Sequence, residues 1–142
     1  MVFDDHGTDR LAAWKDFRDS LESSEHPLDD VAELWSRAPF VSPYLDPQNP
    51  AEWPDPWHLI LDLRLDDLAI ALGMLYTIKL THRFIDTECE IHTSLSPTER
   101  EPQYFLIVDK KYVLNLEYRS VVSIDNLKDL QTKLLWSTVR LK

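Results

Sequence analysis

The residues whose types and spacing could do chemistry are few. His58, Asp62 and Asp66 recur every fourth position. On one continuous helix they would share a face, and an imidazole with two carboxylates could hold a divalent metal. The adjacent Asp67 widens that cluster. The helical pattern breaks near Leu63-Arg64, however, which would scatter the group and leave polar residues at a helix junction. Cys89 is the chain's one cysteine, with His92 three residues on in an alternating stretch. Strand geometry sends these two side chains to opposite faces, so they cannot pair as nucleophile and base, and a buried, inert thiol is the better reading. The carboxylate pairs Asp4-Asp5, Asp29-Asp30 and Asp66-Asp67 are sequence neighbours. Adjacent side chains diverge on a helix, so none makes a natural dyad. Neither a zincin HExxH nor a GxSxG nucleophile elbow occurs.

Composition removes further classes. Gly7 and Gly73 are the only glycines, which excludes Gly-rich phosphate and dinucleotide loops, and no cofactor is expected. The formal net charge of −10 repels phosphate backbones, and no basic stripe offsets it, so nucleic acid is not an expected partner. No apolar run approaches 18 residues, so no membrane span is expected. The N-terminus is acidic and polar, unlike a signal peptide. A single cysteine rules out an internal disulfide and fits a reducing cytoplasm. At 142 residues the chain reads as a single domain, with a helical part over 1–38, a Pro-rich strap over 39–56 and an α+β core over 57–142.

The elements follow from periodicity. Leu11, Trp14, Phe17 and Leu21 make an apolar stripe, predicting a helix from Thr8, as N-cap, to Ser23, with Arg10 on its polar side. Pro27 at a first helical position predicts a second helix to about Arg37. Six prolines between Pro39 and Pro56 preclude regular structure there. Phe40, Tyr44, Trp53 and Trp57 lie in or beside that strap. With Trp14 of the first helix, they are the candidate anchors for a partner protein. A short helical turn is predicted over Trp57–Asp62. The helix from Leu65 to Thr81 is apolar nearly all round, through Leu80, and so belongs in the core. Gly73 inside it implies close approach of another element. After Thr87 the period changes to two. Strands are predicted over 87–93, Tyr104–Val108, Tyr112–Leu116 and Ser120–Ile124, with a tight hairpin at Asp109-Lys110-Lys111. Leu127, Leu130 and Leu134 suggest a short helix over 125–135, and Trp136–Leu141 an edge strand.

Helices first and antiparallel strands last give α+β, with the N-terminal helices and a central buried helix packed on a mainly antiparallel sheet. The stretch Trp53-Pro54-Asp55-Pro56-Trp57 through Leu65-Asp66-Asp67-Leu68-Ala69-Ile70-Ala71 resembles the helix entry of transglutaminase-like, cysteine-protease-like proteins. Tyr104–Val108 and Tyr112–Asn115 resemble their His-bearing and Asp-bearing strands. The resemblance implies a papain-like core. It places the nucleophile position on Leu65, the base position on Gln103 or Tyr104, and the acid position on Asn115. A leucine cannot attack a carbonyl, and neither Gln nor Tyr replaces an imidazole, so the same resemblance implies a core without the family's catalytic Cys and His. The chain also resembles small proteins of unassigned role encoded by tailed phages of marine cyanobacteria, which implies a virion component or host protein as partner.

The expectation is therefore a non-catalytic binding or assembly module with a degenerate transglutaminase-like core. A hydrolase or metal-dependent enzyme with its site near His58, Asp62 and Asp66 is the first alternative. The second is a homo-oligomer component with Trp14, Trp53 or Trp57 at its interface.

Overall fold

A computed structural model describes residues 2–39, 45–94, 102–128 and 130–138. Four helices come first: α1 (Gly7–Leu21), α2 (Pro27–Trp35), α3 (Pro56–Asp62) and α4 (Asp67–Lys79). Five strands follow: β1 (Cys89–Ser94), β2 (Tyr104–Val108), β3 (Tyr112–Leu114), β4 (Val121–Ser123) and β5 (Thr132–Ser137). They form one antiparallel sheet in the order β4-β3-β2-β1-β5. The architecture is α+β, with α4 laid across one face of the sheet. Among the described residues no helix is long and apolar enough to cross a membrane.

α4 is buried because every face of it is apolar: Leu68 through Met74 are all shielded from solvent, as are Leu75 and Ile78. Its sheet-side neighbours are Cys89, Ile91, Leu106, Val108, Leu114 and Leu135. Phe105, Ile107 and Val113 point the other way and form a smaller cluster with Val122, Ile124 and Leu127. Gly73 meets the expected close approach. A Cβ there would overlap the Trp35 ring of α2. One turn on, Thr77 joins three helices. Its hydroxyl accepts from the indole N–H groups of Trp14 and Trp35, both at 3.0 Å, and donates to the Gly73 carbonyl at 2.7 Å. That uses the hydroxyl's one donor and both lone pairs.

Several expectations are corrected. α1 starts at Gly7, and its N-cap, His6, makes no side-chain capping bond, so Thr8 is not the cap. Arg10 is not on a solvated face. It is buried, and its guanidinium donates to the Ile60 and Leu61 carbonyls, both at 3.0 Å, at the C-terminal end of α3 where carbonyls lack helical partners. Leu80 lies past the end of α4 and is 38% exposed. β3 stops at Leu114 because Asn115 takes a left-handed φ of 67°. Among the described residues of 125–135 no α-helix forms. A 3-10 turn covers Ile124–Leu127, and β5 begins at Thr132 to pair with β1. The leucine spacing there imitates a helix, but Leu127 ends the 3-10 turn and packs on the outer sheet face, while Leu134 lies in β5 opposite His92. The edge strand thus starts before Trp136. The last residues of the range expected for it lie outside the described residues.

Candidate functional site

Two devices fix the entry to α4. Leu63 ends α3 in a left-handed conformation (φ 49°), which turns the chain sharply. Asp66 then caps α4: its Oδ1 accepts from the Ala69 N–H at 2.8 Å and its Oδ2 from the Leu45 N–H at 3.0 Å. Leu65, between them, is 0% exposed and is part of the main core.

Asp67, the first residue of α4, reaches across to the sheet. Its Oδ2 accepts from the Tyr104 N–H at 2.8 Å, and its Oδ1 from the Asn115 side-chain amide at 3.0 Å. The same amide donates to the Tyr104 carbonyl at 2.9 Å. Asn115 can do this because it follows the last residue of β3 in a left-handed conformation, which asparagine tolerates better than most residues. Burial pushes the Asp67 carboxyl above the usual carboxylate range, against the opposing pull of the Tyr104 N–H and the Asn115 amide. Burial, with Asp66, Asp67 and Asp46 nearby, also raises the Tyr104 phenol. Gln103 faces elsewhere: its amide donates to the Leu116 carbonyl at 2.6 Å.

The fold therefore brings together positions that are distant in sequence. Tyr104 and Asn115 meet at Asp67, and Leu65 lies two residues before it. The sequence pattern grouped Asp67 with His58, Asp62 and Asp66, not with Tyr104 and Asn115. The available signal was its place beside a capping Asp66 at the head of the apolar helix, but its partners are 37 and 48 residues away.

Cys89 is elsewhere. It pairs with Val108 while Thr93 pairs with Tyr104, which sets it at the opposite end of β2. Four residues of strand place it about 13 Å from the Tyr104 end. Burial pushes its thiol up to about 12. His92 is on the other face of the sheet, stacked on Phe105.

The His58 group does not assemble. His58 is on α3, exposed, with its Nδ1 2.8 Å from an Asp55 oxygen, and that carboxylate raises its pKa. The carboxylate of Asp66 is engaged with two backbone N–H groups beyond the break at Leu63. The cavity that His58 and Asp62 line holds only about 20 Å³. Among the described residues no group of three His, Cys, Asp or Glu side chains could hold a metal ion.

The aromatic candidates separate. Trp14 is 0% exposed, so it is core and not an accessible anchor. Trp57 is 46% exposed, with its ring edge-on to Trp14 at 5.8 Å and the Arg18 guanidinium over both rings. Trp53 is half-buried and donates to the Asp46 carbonyl at 2.8 Å. Phe40 and Tyr44 lie outside the described residues.

A larger opening sits beside Asp67. A cavity of about 220 Å³ lies between α2, α4 and the loop after β3, with Asp67 and Asn115 in its wall.

No protein-family model matches the chain, and a search of curated proteins finds no match. Solved structures do match. Calcium-bound LapG from Legionella pneumophila superposes with a TM-score of 0.68 at 19% identity, over 96% of this chain and 78% of that one. A second structure of Legionella pneumophila LapG and an EGTA-treated form each give a TM-score of 0.59 at 18% identity, over 96% of this chain and 78% and 76% of theirs. Identity at this level speaks for architecture alone. The chain has the transglutaminase-like fold of these LapG structures.

Proposed function

We propose that this chain is a non-catalytic protein-binding module built on a transglutaminase-like fold. The observation that carries the reading is Leu65: at the mouth of the central helix, where the resemblance puts the nucleophile, an aliphatic side chain is packed fully into the core. A cysteine protease needs an accessible thiolate at that point. The chain's own thiol, on Cys89, is buried at the far end of β2 and held neutral. In this reading Asp67, Tyr104 and Asn115 survive as scaffold. The exposed Trp57 and the aromatic strap with Phe40, Tyr44 and Trp53 serve as contact surface. The partner is a virion component or host protein, as the phage resemblance implies. One solved neighbour is calcium-bound, but the described residues offer no carboxylate group suited to such an ion.

The test is turnover. The full chain is incubated with unfolded protein and with peptide ester and amide substrates, with and without calcium. No cleavage above background is expected. Cleavage abolished by Asp67→Asn would overturn the reading. A companion measurement follows Cys89 with a thiol reagent at neutral pH. A thiol near 12 carries roughly three orders of magnitude less thiolate than a free cysteine, so labelling should track unfolding. Fast stoichiometric labelling of the native protein would restore a nucleophile and defeat the proposal.

A further inference from the structure

The 220 Å³ cavity beside Asp67 has a composition of its own. Trp35, Ile70 and Met74 supply apolar wall, and Asp67, Asn115 and Glu117 supply polar wall. Asp67, Ile70 and Met74 lie on one face of α4, three and four residues apart, so the apolar wall runs straight down from the carboxylate. The loop that closes the cavity is held to α2. Arg119 donates to both Glu33 carboxylate oxygens at 2.6 to 2.9 Å, and the Tyr118 hydroxyl donates to the Ser36 carbonyl at 3.2 Å. That pairing matters for charge. Among the described lining residues Arg119 is the one basic side chain, and its guanidinium is tied to Glu33, which also pairs with Arg37 at 2.8 Å, while the carboxyl groups of Asp67 and Glu117 line the cavity without an arginine or lysine partner in its wall.

We propose that this cavity is a binding site for a single ammonium or guanidinium group carried on an aliphatic stem. The volume is below that of pockets for drug-sized ligands and suits one side chain or a small amine. Each Asp67 oxygen accepts one hydrogen bond from within the chain and retains a lone pair for a further donor. A cation there would form charge-assisted hydrogen bonds, its stem would lie on Ile70 and Met74, and the Trp35 ring could face the positive charge. Burial already makes the lone Asp67 charge unfavourable, and a bound cation relieves that. Affinity therefore rises with pH as Asp67 ionises.

The same chemistry is borne by a free alkylamine or by a lysine or arginine of a partner protein. Only the second source rests on the binding-module reading. The test uses the full chain and follows amide NMR shifts of Asp67 and Asn115. The probes are n-butylamine, methylguanidinium and uncharged 1-butanol. The two cations should saturate with dissociation constants on the order of 1 mM, given so few heavy atoms. 1-Butanol should bind at least about tenfold more weakly. Asp67→Asn should abolish the preference. Because Asp67 also holds Tyr104 and Asn115, a second variant is made at Ala38, which lines the same cavity and takes no part in that network; Ala38→Trp should fill the cavity and lose binding while its remaining spectrum stays native. Equal binding of 1-butanol, no saturation by either cation, or unchanged binding by a natively folded Ala38→Trp protein would each overturn the site. A peptide with one lysine is compared with its norleucine counterpart. Selective shifts from the lysine peptide assign a protein-borne ligand, and response to butylamine alone assigns a free amine. Hydrolysis of either peptide would defeat the non-catalytic reading and leave the cation site standing.

Discussion

α4 carries a polar hub near each end, and the two are built on opposite principles. Thr77 is neutral, fully buried and saturated: two indoles donate to it and it donates to Gly73. Asp67 is charged when ionised, only partly shielded, retains unused lone pairs, and opens on a cavity. A saturated neutral hub can only hold helices together. A desolvated carboxylate with spare capacity beside open volume can hold sheet and helix together and still meet a ligand. The difference separates packing from site along a single helix.

The sharpest way to break this contrast is Thr77→Val. The shape is kept, but two buried indole N–H groups lose their acceptor, and roughly 2 to 6 kcal/mol of stability should go with it. Urea denaturation measures this against Thr77→Ser, which keeps the hydroxyl and should cost only about 1 kcal/mol. Equal losses would mean the hub is packing without hydrogen bonding. Next in size is Gly73→Ala. Alanine is the better helix former by about 1 kcal/mol. The added Cβ would overlap the Trp35 ring, however, and overpacking costs of about 1 to 3 kcal/mol should win. A stabilised Gly73→Ala protein would show that Trp35 can move aside.

A smaller effect should come from pH at the other hub. The folded protein raises the Asp67 pKa, so its protonated form is favoured by folding. Its contribution is fully present below the ordinary carboxylate pKa and is lost as pH rises through the raised value. The stability of the natural chain relative to Asp67→Asn should therefore be greatest in acid and decline toward neutrality. Paired urea titrations between about pH 3 and 7 would show it, since the other groups cancel. An advantage that grew with pH would mean that the Tyr104 and Asn115 donors outweigh burial. The smallest change should follow Arg119→Ala. Its ion pair with Glu33 is exposed, so global stability should barely move. Faster hydrogen exchange over residues 115–120 would show the loop released from α2, and unchanged exchange would show that the pair holds nothing.

How much of this was legible in the sequence varied with the range of the interaction. The helical stretch of α4, the Pro27 start of α2 and the hairpin at Asp109-Lys110 were readable because their causes are local. At that hairpin Asp109 and Lys110 take φ of 55°, the left-handed values of a tight turn, and Lys111 completes the three-residue link from Val108 to Tyr112. The short helix expected over 125–135 failed because leucine spacing alone cannot tell a helix from a turn followed by a strand that pairs with β1. Arg10 was misplaced for a related reason. An arginine on a helix reads as solvated until another helix presents bare carbonyls to it.

The candidate site divides the same way. That Leu65 falls on the nucleophile position is what the family resemblance implies, whereas the separation of Cys89 from His92 follows from strand period alone. Glycine content likewise argued against phosphate loops, and net charge set the expectation against nucleic acid, before any fold was known. Only the tertiary structure decided that Asp67, Tyr104 and Asn115 meet, that Trp14 is core, and that a cavity opens between α2, α4 and the loop after β3. Periodicity and capping act within a few residues and are written in the local sequence. Partners 37 and 48 residues apart are brought into contact only when the sheet closes on α4, and no local pattern encodes that.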